Sequence, residues 1–270
     1  FASTMIKFSN YSYEPSLGTR KAAGKPEIDN FPVIEYIHKK LIQMLEDIRY
    51  VKSHFTLRDQ ESKVINDSFF QYEKYLEEGS IDLLITSPPY LNNYHYNRNT
   101  RPHLYWLDFV QSPSEMKPIE HSNYGKFWQT VRNEEPLELD FHLPTSDLED
   151  KLEMLQAKNP EKGVYGGQGW ANYAITYFND SLKFMKGIQY ALKQGSKAYI
   201  VIGNSILQGI NMRTDKYIGE IANHIGLDYL KNEVPRATRT GNSIIDSQVR
   251  SNKSKNGSKL YEAIVVIGKS

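Results

Sequence analysis

Four residues with complementary chemistry stand together in Ser87-Pro88-Pro89-Tyr90, directly after the apolar run 81–86. Consecutive prolines restrict the backbone and remove two N–H donors, while their carbonyl groups stay free to accept hydrogen bonds. A hydroxyl and a carbonyl placed together can accept both N–H bonds of one amino group. The tyrosine ring offers a stacking face. These residue types suit a pocket that holds a flat aromatic amine.

The amino group of a nucleobase is a poor nucleophile because its lone pair is delocalised into the ring. If Ser87 and the Pro88 carbonyl accept its two N–H bonds, the nitrogen moves toward tetrahedral geometry and its lone pair can attack a sulfonium methyl group in line. A base inside a duplex cannot reach such a pocket and has to be flipped out and stacked. Positioning then supplies much of the rate. The motif therefore indicates methylation of a base amine, although four residues alone also fit a simple turn after a strand.

The elements that must position this motif alternate between strand and helix. Strands are predicted at 63–67, 81–86, 197–202, 227–234 and 260–267, with 81–86 fully buried. Helices are predicted at 33–49, 69–78 and 170–193, and from Thr214 and Asp215 to a C-cap at Gly226. Such alternation is typical of an open α/β sheet. Ligands of these sheets bind outside the carboxyl ends of the strands, which is where the motif lies.

Residues 82–90 resemble the catalytic motif of the amino-group DNA methyltransferases, which modify the N4 amine of cytosine or the N6 amine of adenine. Ser-Pro-Pro-Tyr is typical of the cytosine-N4 enzymes, whereas adenine-N6 enzymes more often begin the motif with Asp or Asn. The order of Asn66-Asp67-Ser68, a helix and the motif strand also matches, and the resemblance covers residues 60–270. It implies S-adenosylmethionine as cofactor, DNA as substrate, a prokaryotic cytoplasm and a restriction-modification system.

The resemblance also implies roles for individual residues. Catalysis is assigned to Ser87, Pro88, Pro89 and Tyr90. Cofactor contacts are expected at three further positions: Asp67, Ser68 and Thr86.

One expected part is missing from the sequence. The family binds its cofactor in a glycine-rich turn after the first strand, but the dense glycine cluster Gly166-Gly167-Gln168-Gly169 follows no apolar strand and is interpreted as a flexible loop. The family's strand order resembles 3-2-1-4-5-7-6. We therefore expect a Rossmann-like class I methyltransferase sheet that lacks its first two strands in this chain.

A second polypeptide that carries the glycine-rich cofactor motif is the favoured explanation, with the enzyme working as a heterodimer. This interpretation takes Met5 as a natural start and the four residues before it as foreign. The alternative is that the natural chain continues beyond one of the two ends seen here.

DNA contacts are expected in two places. The segment 236–259 carries six basic residues and one acid, Asp246, among Gly, Ser and Asn, which suits phosphate binding but also fits an exposed surface loop. Its candidate residues are Arg236, Arg239, Arg250, Lys253 and Lys255. Just after the motif, Tyr94, Arg98 and Arg101 could form the pocket wall and grip the DNA backbone, while Tyr94 fits a packing role equally well.

Composition excludes several classes of protein. With a net charge of +1, the chain is no polycation. The absence of cysteine excludes disulfides, thiolate metal sites and C5-cytosine methylation, which needs a cysteine nucleophile. The seven histidines show no metal-ligand spacing, so no metal is expected. No apolar run is long enough to span a membrane, and a cytoplasmic location is expected.

The chain is predicted to have three parts. Residues 1–59 form an N-terminal loop and helix, 60–110 and 170–270 form the catalytic domain, and 111–169 form a variable insertion for target recognition.

Three functions compete on these grounds. Cytosine-N4 methylation leads, with adenine-N6 methylation as the alternative. A non-catalytic DNA-binding subunit of a modification complex is the third, although it gives no reason to keep an intact Ser-Pro-Pro-Tyr. Methylation of RNA or of protein amines is less favoured, because the protein-glutamine enzymes with a related motif usually begin it with Asn.

Overall fold

A computed structural model describes residues 1–12, 18–55, 62–91, 96–236 and 260–270, without the side chains of Arg98 and Arg236. The chain divides into two compact units. The first contains Phe1–Asn66 and Tyr96–Gln111, and the second contains Asp67–His95 and Ser112–Ser270. Residues 112–169 therefore share a unit with the main sheet.

The elements alternate along much of the chain. The α-helices are α1 (Val33–His54), α2 (Tyr96–Trp106), α3 (Pro113–His121), α4 (Trp128–Val131), α5 (Leu148–Gln156), α6 (Gly167–Ala191) and α7 (Thr214–His224). The strands are β1 (Tyr11–Ser12), β2 (Gly18–Thr19), β3 (Ile81–Thr86), β4 (Leu192–Gly203), β5 (Ser205–Leu207), β6 (Ile210–Met212), β7 (Asp228–Arg236) and β8 (Glu262–Gly268). Among the described residues, no helix is both long and apolar enough to cross a membrane.

The first unit is built around α1, the short β1–β2 ladder and α2. Strands β1 and β2 pair antiparallel, with Tyr11 opposite Thr19. Helix α1 confirms the predicted helix and continues past Arg49 to His54, because apolar residues recur at helical spacing as far as Val51. None of its residues is buried.

The second unit contains a four-stranded sheet in the order β3-β4-β8-β7. Strands β3 and β4 run parallel, and β8 runs antiparallel to both of its neighbours. In the numbering of the expected sheet, β3 would be strand 4, β4 strand 5, β8 strand 7 and β7 strand 6. Their spatial order is then 4-5-7-6. The result is a mixed α/β unit.

The core of this unit lies around α6, which is buried on most of its surface. The side chains of Tyr177, Phe178, Met185 and Ile188 are each at most 2% exposed. Helix α7 packs on α6 and on β7 and β8. It ends at His224 with Ile225 as its C-cap, one residue before the predicted C-cap Gly226, which follows directly with a φ of +87°.

Two sequence predictions about strands were wrong. Residues 63–67 are irregular, and Val64 is 93% exposed, because no described strand lies beside them to pair with. Strand β3 is present but not fully buried, since Leu83 is 54% and Ile85 71% exposed. Among the described residues, β4 is its single strand neighbour. The predicted helix 69–78 is a shorter 3-10 helix, Phe69–Lys74.

The glycine cluster is not a flexible loop. Gly167 and Gly169 are buried in the first turn of α6. A Cβ atom added to Gly167 would lie 1.9 Å from the Leu155 carbonyl oxygen, and one on Gly169 would lie 2.2 Å from that of Val164. The Gly167 amide also donates to the Lys158 carbonyl. Glycine is required here because backbone carbonyls pack directly against the start of the helix.

Candidate active site at the carboxyl end of strand β3

The Ser-Pro-Pro-Tyr motif begins one residue after β3, at the carboxyl edge of the parallel pair β3–β4. Ser87 is exposed, whereas Pro88 and Tyr90 are buried. No described residue donates a hydrogen bond to the Ser87 hydroxyl or to the Pro88 carbonyl. The end of the strand therefore carries two hydrogen-bond acceptors on adjacent residues that no described donor occupies.

The other proline carbonyl is already occupied. The Tyr177 hydroxyl, from the middle of α6, donates to the Pro89 carbonyl oxygen at 2.8 Å. Tyr177 is 2% exposed, so this hydrogen bond is shielded from water. This hydrogen bond fixes the peptide unit that joins Pro89 to Tyr90.

Tyr90 is held from the other side of the motif. Its hydroxyl donates to Glu262 Oε1 at 3.0 Å. Glu262 is the first residue of β8 and lies opposite Gly203 at the end of β4. The ring of Tyr90 belongs to the hydrophobic core, and the residue is 9% exposed. The side chain is thus fixed at both ends, with little of its surface open in this conformation.

The start of β8 is positioned by Asn204, the residue that follows β4. Its Oδ1 accepts from the Tyr261 amide at 2.8 Å, and its Nδ2 donates to Asn211 Oδ1 at 3.0 Å. Asn204 is 1% exposed. A buried amide that is satisfied on both sides fixes the junction from which Glu262 reaches Tyr90.

An aromatic chain joins the motif to the segment before β3. Phe70 stacks on Tyr124 at 6.0 Å between ring centroids, and Tyr124 meets Tyr177 edge-on at 5.2 Å. Tyr124 also donates to Ser181 Oγ at 2.7 Å, and burial raises the pKa of its hydroxyl. Packed aromatic pairs of this kind hold two segments in register.

The predicted cofactor residues lie on two segments of this unit. Ser68 caps the 3-10 helix, with Oγ accepting from the Phe70 amide at 3.3 Å. Asp67 accepts from the Ser68 amide at 2.7 Å and from the Tyr75 hydroxyl at 2.5 Å. The Tyr75 hydrogen bond is the main reason that the pKa of Asp67 is lowered. Thr86 ends β3 opposite Ile200.

These residues fit one side of a site for a cationic cofactor. Asp67 is exposed, and an aspartate is anionic at neutral pH, which suits a sulfonium or ammonium group. A glycine-rich turn after a parallel strand is absent from the described residues, since the cluster at 166–169 follows a 3-10 helix and is filled by backbone atoms. The described residues therefore do not form a complete cofactor site.

The predicted DNA contacts are only partly visible. Arg101 is exposed on α2 and lines a cavity of about 590 Å³ in the first unit, together with Tyr11, Tyr105 and Trp106. Arg98 and Arg236 lie in α2 and β7, but their side chains are outside the described part. Tyr94, Arg239, Arg250, Lys253 and Lys255 also lie outside the described residues. All of these DNA contacts stay predictions.

Metal ligation is not supported by any described cluster. Within the ranges that the structure describes, no group of three or more His, Asp or Glu side chains could hold a metal ion.

Sequence reasoning missed Tyr177, Glu262 and Tyr124. Tyr177 lies 88 residues from Pro89, and Glu262 lies 172 residues from Tyr90. Neither stands in a recognisable local sequence pattern. A polar hydroxyl on the apolar face of the predicted helix 170–193 was the one available signal, because buried tyrosines need a hydrogen-bond partner.

Comparison with known proteins gives a weak but consistent relationship. No family model matches the chain. It is 22% identical over 216 residues to the Type II methyltransferase M.BsoBI of Geobacillus stearothermophilus, a match that covers 74% of this chain and 42% of that protein. The chain thus spans about two-fifths of the length of this curated relative.

Among solved structures, a protein named as a DNA modification methylase of Thermus thermophilus matches with a TM-score of 0.32 and 12% identity. The match covers 75% of this chain and 50% of that one. That score is too low to support a conclusion about the fold. The chain is similar in sequence, along 74% of its length, to part of a Type II methyltransferase.

Proposed function

We propose that this chain carries the catalytic motif of an S-adenosylmethionine-dependent DNA methyltransferase that modifies the N4 amine of cytosine. The observation that carries the proposal is a pair of acceptors on adjacent residues at the carboxyl end of β3, Ser87 Oγ and the Pro88 carbonyl, to which no described residue donates a hydrogen bond. The similarity to a Type II methyltransferase supports the same reaction class.

In the proposed mechanism the residues of the motif hold the target amine. One N–H bond donates to Ser87 Oγ and the other to the Pro88 carbonyl, so the nitrogen lone pair turns out of the plane of the base. The cofactor, when bound, supplies an electrophilic methyl group. The amine would donate its lone pair to that methyl group, with the sulfur as leaving group, and would release one N–H proton to water while Ser87 Oγ and the Pro88 carbonyl hold the nitrogen in place. Positioning of the amine is the main contribution of this chain.

The bonds around Pro89 and Tyr90 support this geometry. Tyr177 holds the Pro89 carbonyl, so the backbone cannot turn that carbonyl toward the amine. Glu262 holds the Tyr90 hydroxyl, which fixes the ring beside the acceptors. A flipped cytosine would stack on the Tyr90 ring, which is 9% exposed in the unbound chain and therefore has to be uncovered when the base enters.

The identity of the base is tested by chemical analysis. DNA from a host that lacks its own methyltransferases, grown with and without this chain and its partner, is digested to nucleosides and analysed by mass spectrometry. N4-methylcytosine supports the proposal, and N6-methyladenine supports the alternative. If neither methylated base is found in either culture, the result would favour the alternative that the chain is a non-catalytic DNA-binding subunit.

A second polypeptide is proposed to complete the sheet and the cofactor site. Among the described residues β3 has one strand neighbour, β4, so its other edge is open for another strand to pair. Leu83 and Ile85 lie on one face of β3 and are exposed, so that face is also uncovered. The second polypeptide would also supply the glycine-rich turn that the described residues lack. The alternative is that the rest of the site lies in further sequence of the same chain.

Calorimetric titration of S-adenosylmethionine into the 270-residue chain tests this idea. We expect no heat of binding for the chain alone, and binding once the completing chain is added. One-to-one binding by the isolated chain would show that the site is complete and would remove the reason for a partner. Replacing both Leu83 and Ile85 by Lys should block assembly, whereas Lys197→Ala on β4 should not.

A further inference from the structure

Helix α1 carries a second recognition surface, which does not depend on the proposed function. Six of its apolar residues follow a three-four spacing over about two and a half heptads: Ile34, Ile37, Leu41, Met44, Ile48 and Val51. Val33, Ile42 and Leu45 are also apolar and lie outside this repeat. A strict repeat of 3.5 residues is the pattern of a coiled coil, because it keeps one narrow seam facing a partner helix along its whole length.

This seam is open to water. Ile34 is 85%, Leu41 52%, Met44 48%, Ile48 50% and Val51 41% exposed. Within its own unit, α1 makes no extended contact with another described helix or strand. None of its residues is buried, and Ile37 is half-buried. A stripe of large aliphatic side chains on a helix of 22 residues is costly to leave hydrated, and such surfaces mark interaction sites.

The seam is complementary to itself when a second copy runs antiparallel. In this arrangement Ile34 packs against Val51 of the second copy, Ile37 against Ile48, and Leu41 against Met44. Every layer therefore joins two aliphatic side chains of similar size, and no polar residue enters the seam. Antiparallel helices also align their dipoles favourably.

The charges beside the seam fit the same arrangement. In the heptad repeat Ile34, Leu41 and Ile48 are the a positions, and Ile37, Met44 and Val51 are the d positions. Lys40 and Asp47 then both occupy g positions, which face each other across an antiparallel pair. Lys40 of each copy then lies beside Asp47 of the other, twice in the dimer. Within one chain, Lys40 contacts the neutral Gln43 amide oxygen at 3.0 Å, so the charge is available for such a pair. Flanking charges of this kind set partner choice and orientation.

A parallel pair would use different partners. It would place Asp47 beside Lys52 of the second copy and Lys40 beside Leu45, which leaves Lys40 without a carboxylate. It would also stack Ile37 on Ile37 and Val51 on Val51, although β-branched residues at those d positions disfavour parallel dimers. We propose that α1 mediates homodimerisation of this chain as an antiparallel two-helix coiled coil.

Sedimentation velocity of the 270-residue chain tests the association. We expect a concentration-dependent dimer that Leu41→Asp converts into a monomer. Because Leu41 is half exposed and contacts no core, circular dichroism should show an unchanged fold. Ser53→Asp, on the opposite face of α1, is the matched control and should leave the dimer intact. A monomer at all concentrations, or a dimer that survives Leu41→Asp, would overturn the proposal.

Charge reversal tests the orientation. Lys40→Asp places two carboxylates beside each other, the new one and that of Asp47 in the other copy, and should weaken the dimer about tenfold. The double variant Lys40→Asp with Asp47→Lys should restore it. In a parallel pair the lysine introduced at position 47 would instead lie beside Lys52, and the dimer would stay weak. Failure of the rescue would therefore refute the antiparallel arrangement.

Cross-linking gives an independent readout, because the chain has no cysteine. A mixture of Ile34→Cys and Val51→Cys chains should form a mixed disulfide dimer on mild oxidation, whereas neither variant alone should do so. Within one helix the two positions are about 25 Å apart, at about 1.5 Å per residue, and cannot bridge. Efficient self-linking of Val51→Cys would overturn the antiparallel arrangement.

Discussion

The hydroxyl of Tyr177 donates a hydrogen bond of 2.8 Å to the carbonyl of Pro89, from the middle of a buried helix to the centre of the motif. We expect Tyr177→Phe to remove the donor and free this backbone. Methyl transfer should fall about tenfold because the acceptors lose their positions, and unfolding free energy should fall by about 1 kcal/mol. Steady-state transfer rates and urea denaturation measure the two effects.

Tyr190→Phe is the control for this variant. Tyr190 lies on the same helix and its hydroxyl also donates to a backbone carbonyl, that of Leu76, at 3.4 Å. It should lose little stability and no activity. Equal loss of transfer in both variants would mean that Tyr177 acts through general packing of α6 and not through Pro89.

Ser87→Ala should strongly reduce methyl transfer without affecting the fold. Ser87 is exposed and makes no hydrogen bond with the described residues, so its removal costs no internal contact. If its hydroxyl accepts one N–H bond of the amine, transfer should fall on the order of a hundredfold. Ser80→Ala, just before the same strand, should keep full activity. Transfer by Ser87→Ala at the normal rate would refute the assigned role.

Tyr90 separates ring stacking from hydroxyl positioning. Tyr90→Phe keeps the ring but loses the bond to Glu262, which should cost about 1.5 kcal/mol of stability and only part of the transfer rate. Tyr90→Ala should abolish transfer and also destabilise the core by about 3 kcal/mol. Thermal unfolding measured beside activity distinguishes the two losses. Survival of transfer in Tyr90→Ala would show that the stacking role is wrong.

Acid should weaken the contact between the start of α5 and α7. Burial opposes ionisation of Asp147, but hydrogen bonds from Lys216 and Lys151 lower its pKa from 3.8 to about 2. Because the folded pKa is depressed, the stabilisation is complete above about pH 4 and is lost as pH falls toward 2. Asp147→Asn should therefore reduce unfolding free energy at pH 7, and the difference from the wild type should shrink below about pH 4.

Glu149 provides the control for this pH dependence. Its pKa is also lowered, chiefly by the Leu143 amide, and its hydrogen bonds go to His142 and Leu143 rather than to α7. Glu149→Gln should leave the contact between Asp147 and Lys216 intact. A constant difference between Asp147→Asn and wild type down to about pH 2 would contradict the assigned ion pairs.

Features that depend on a few neighbouring residues could be predicted from the sequence alone. The three-four spacing in 33–49 predicted α1, the apolar run before Ser87 predicted β3, and Gly226 predicted the end of α7. The chemistry of the motif also follows from its four residues, because prolines and a hydroxyl fix donors and acceptors locally.

The contacts between distant groups depended on the tertiary structure. Leu83 and Ile85 look like residues of a buried strand, but alternate residues share one face of a strand, and that face of β3 is exposed. The glycine cluster looks like a loop until the carbonyls of Leu155 and Val164 occupy the space where side chains would lie. Tyr177 and Glu262 reach the motif from far along the chain, because hydrogen bonds between distant residues depend on the path of the chain and not on local periodicity.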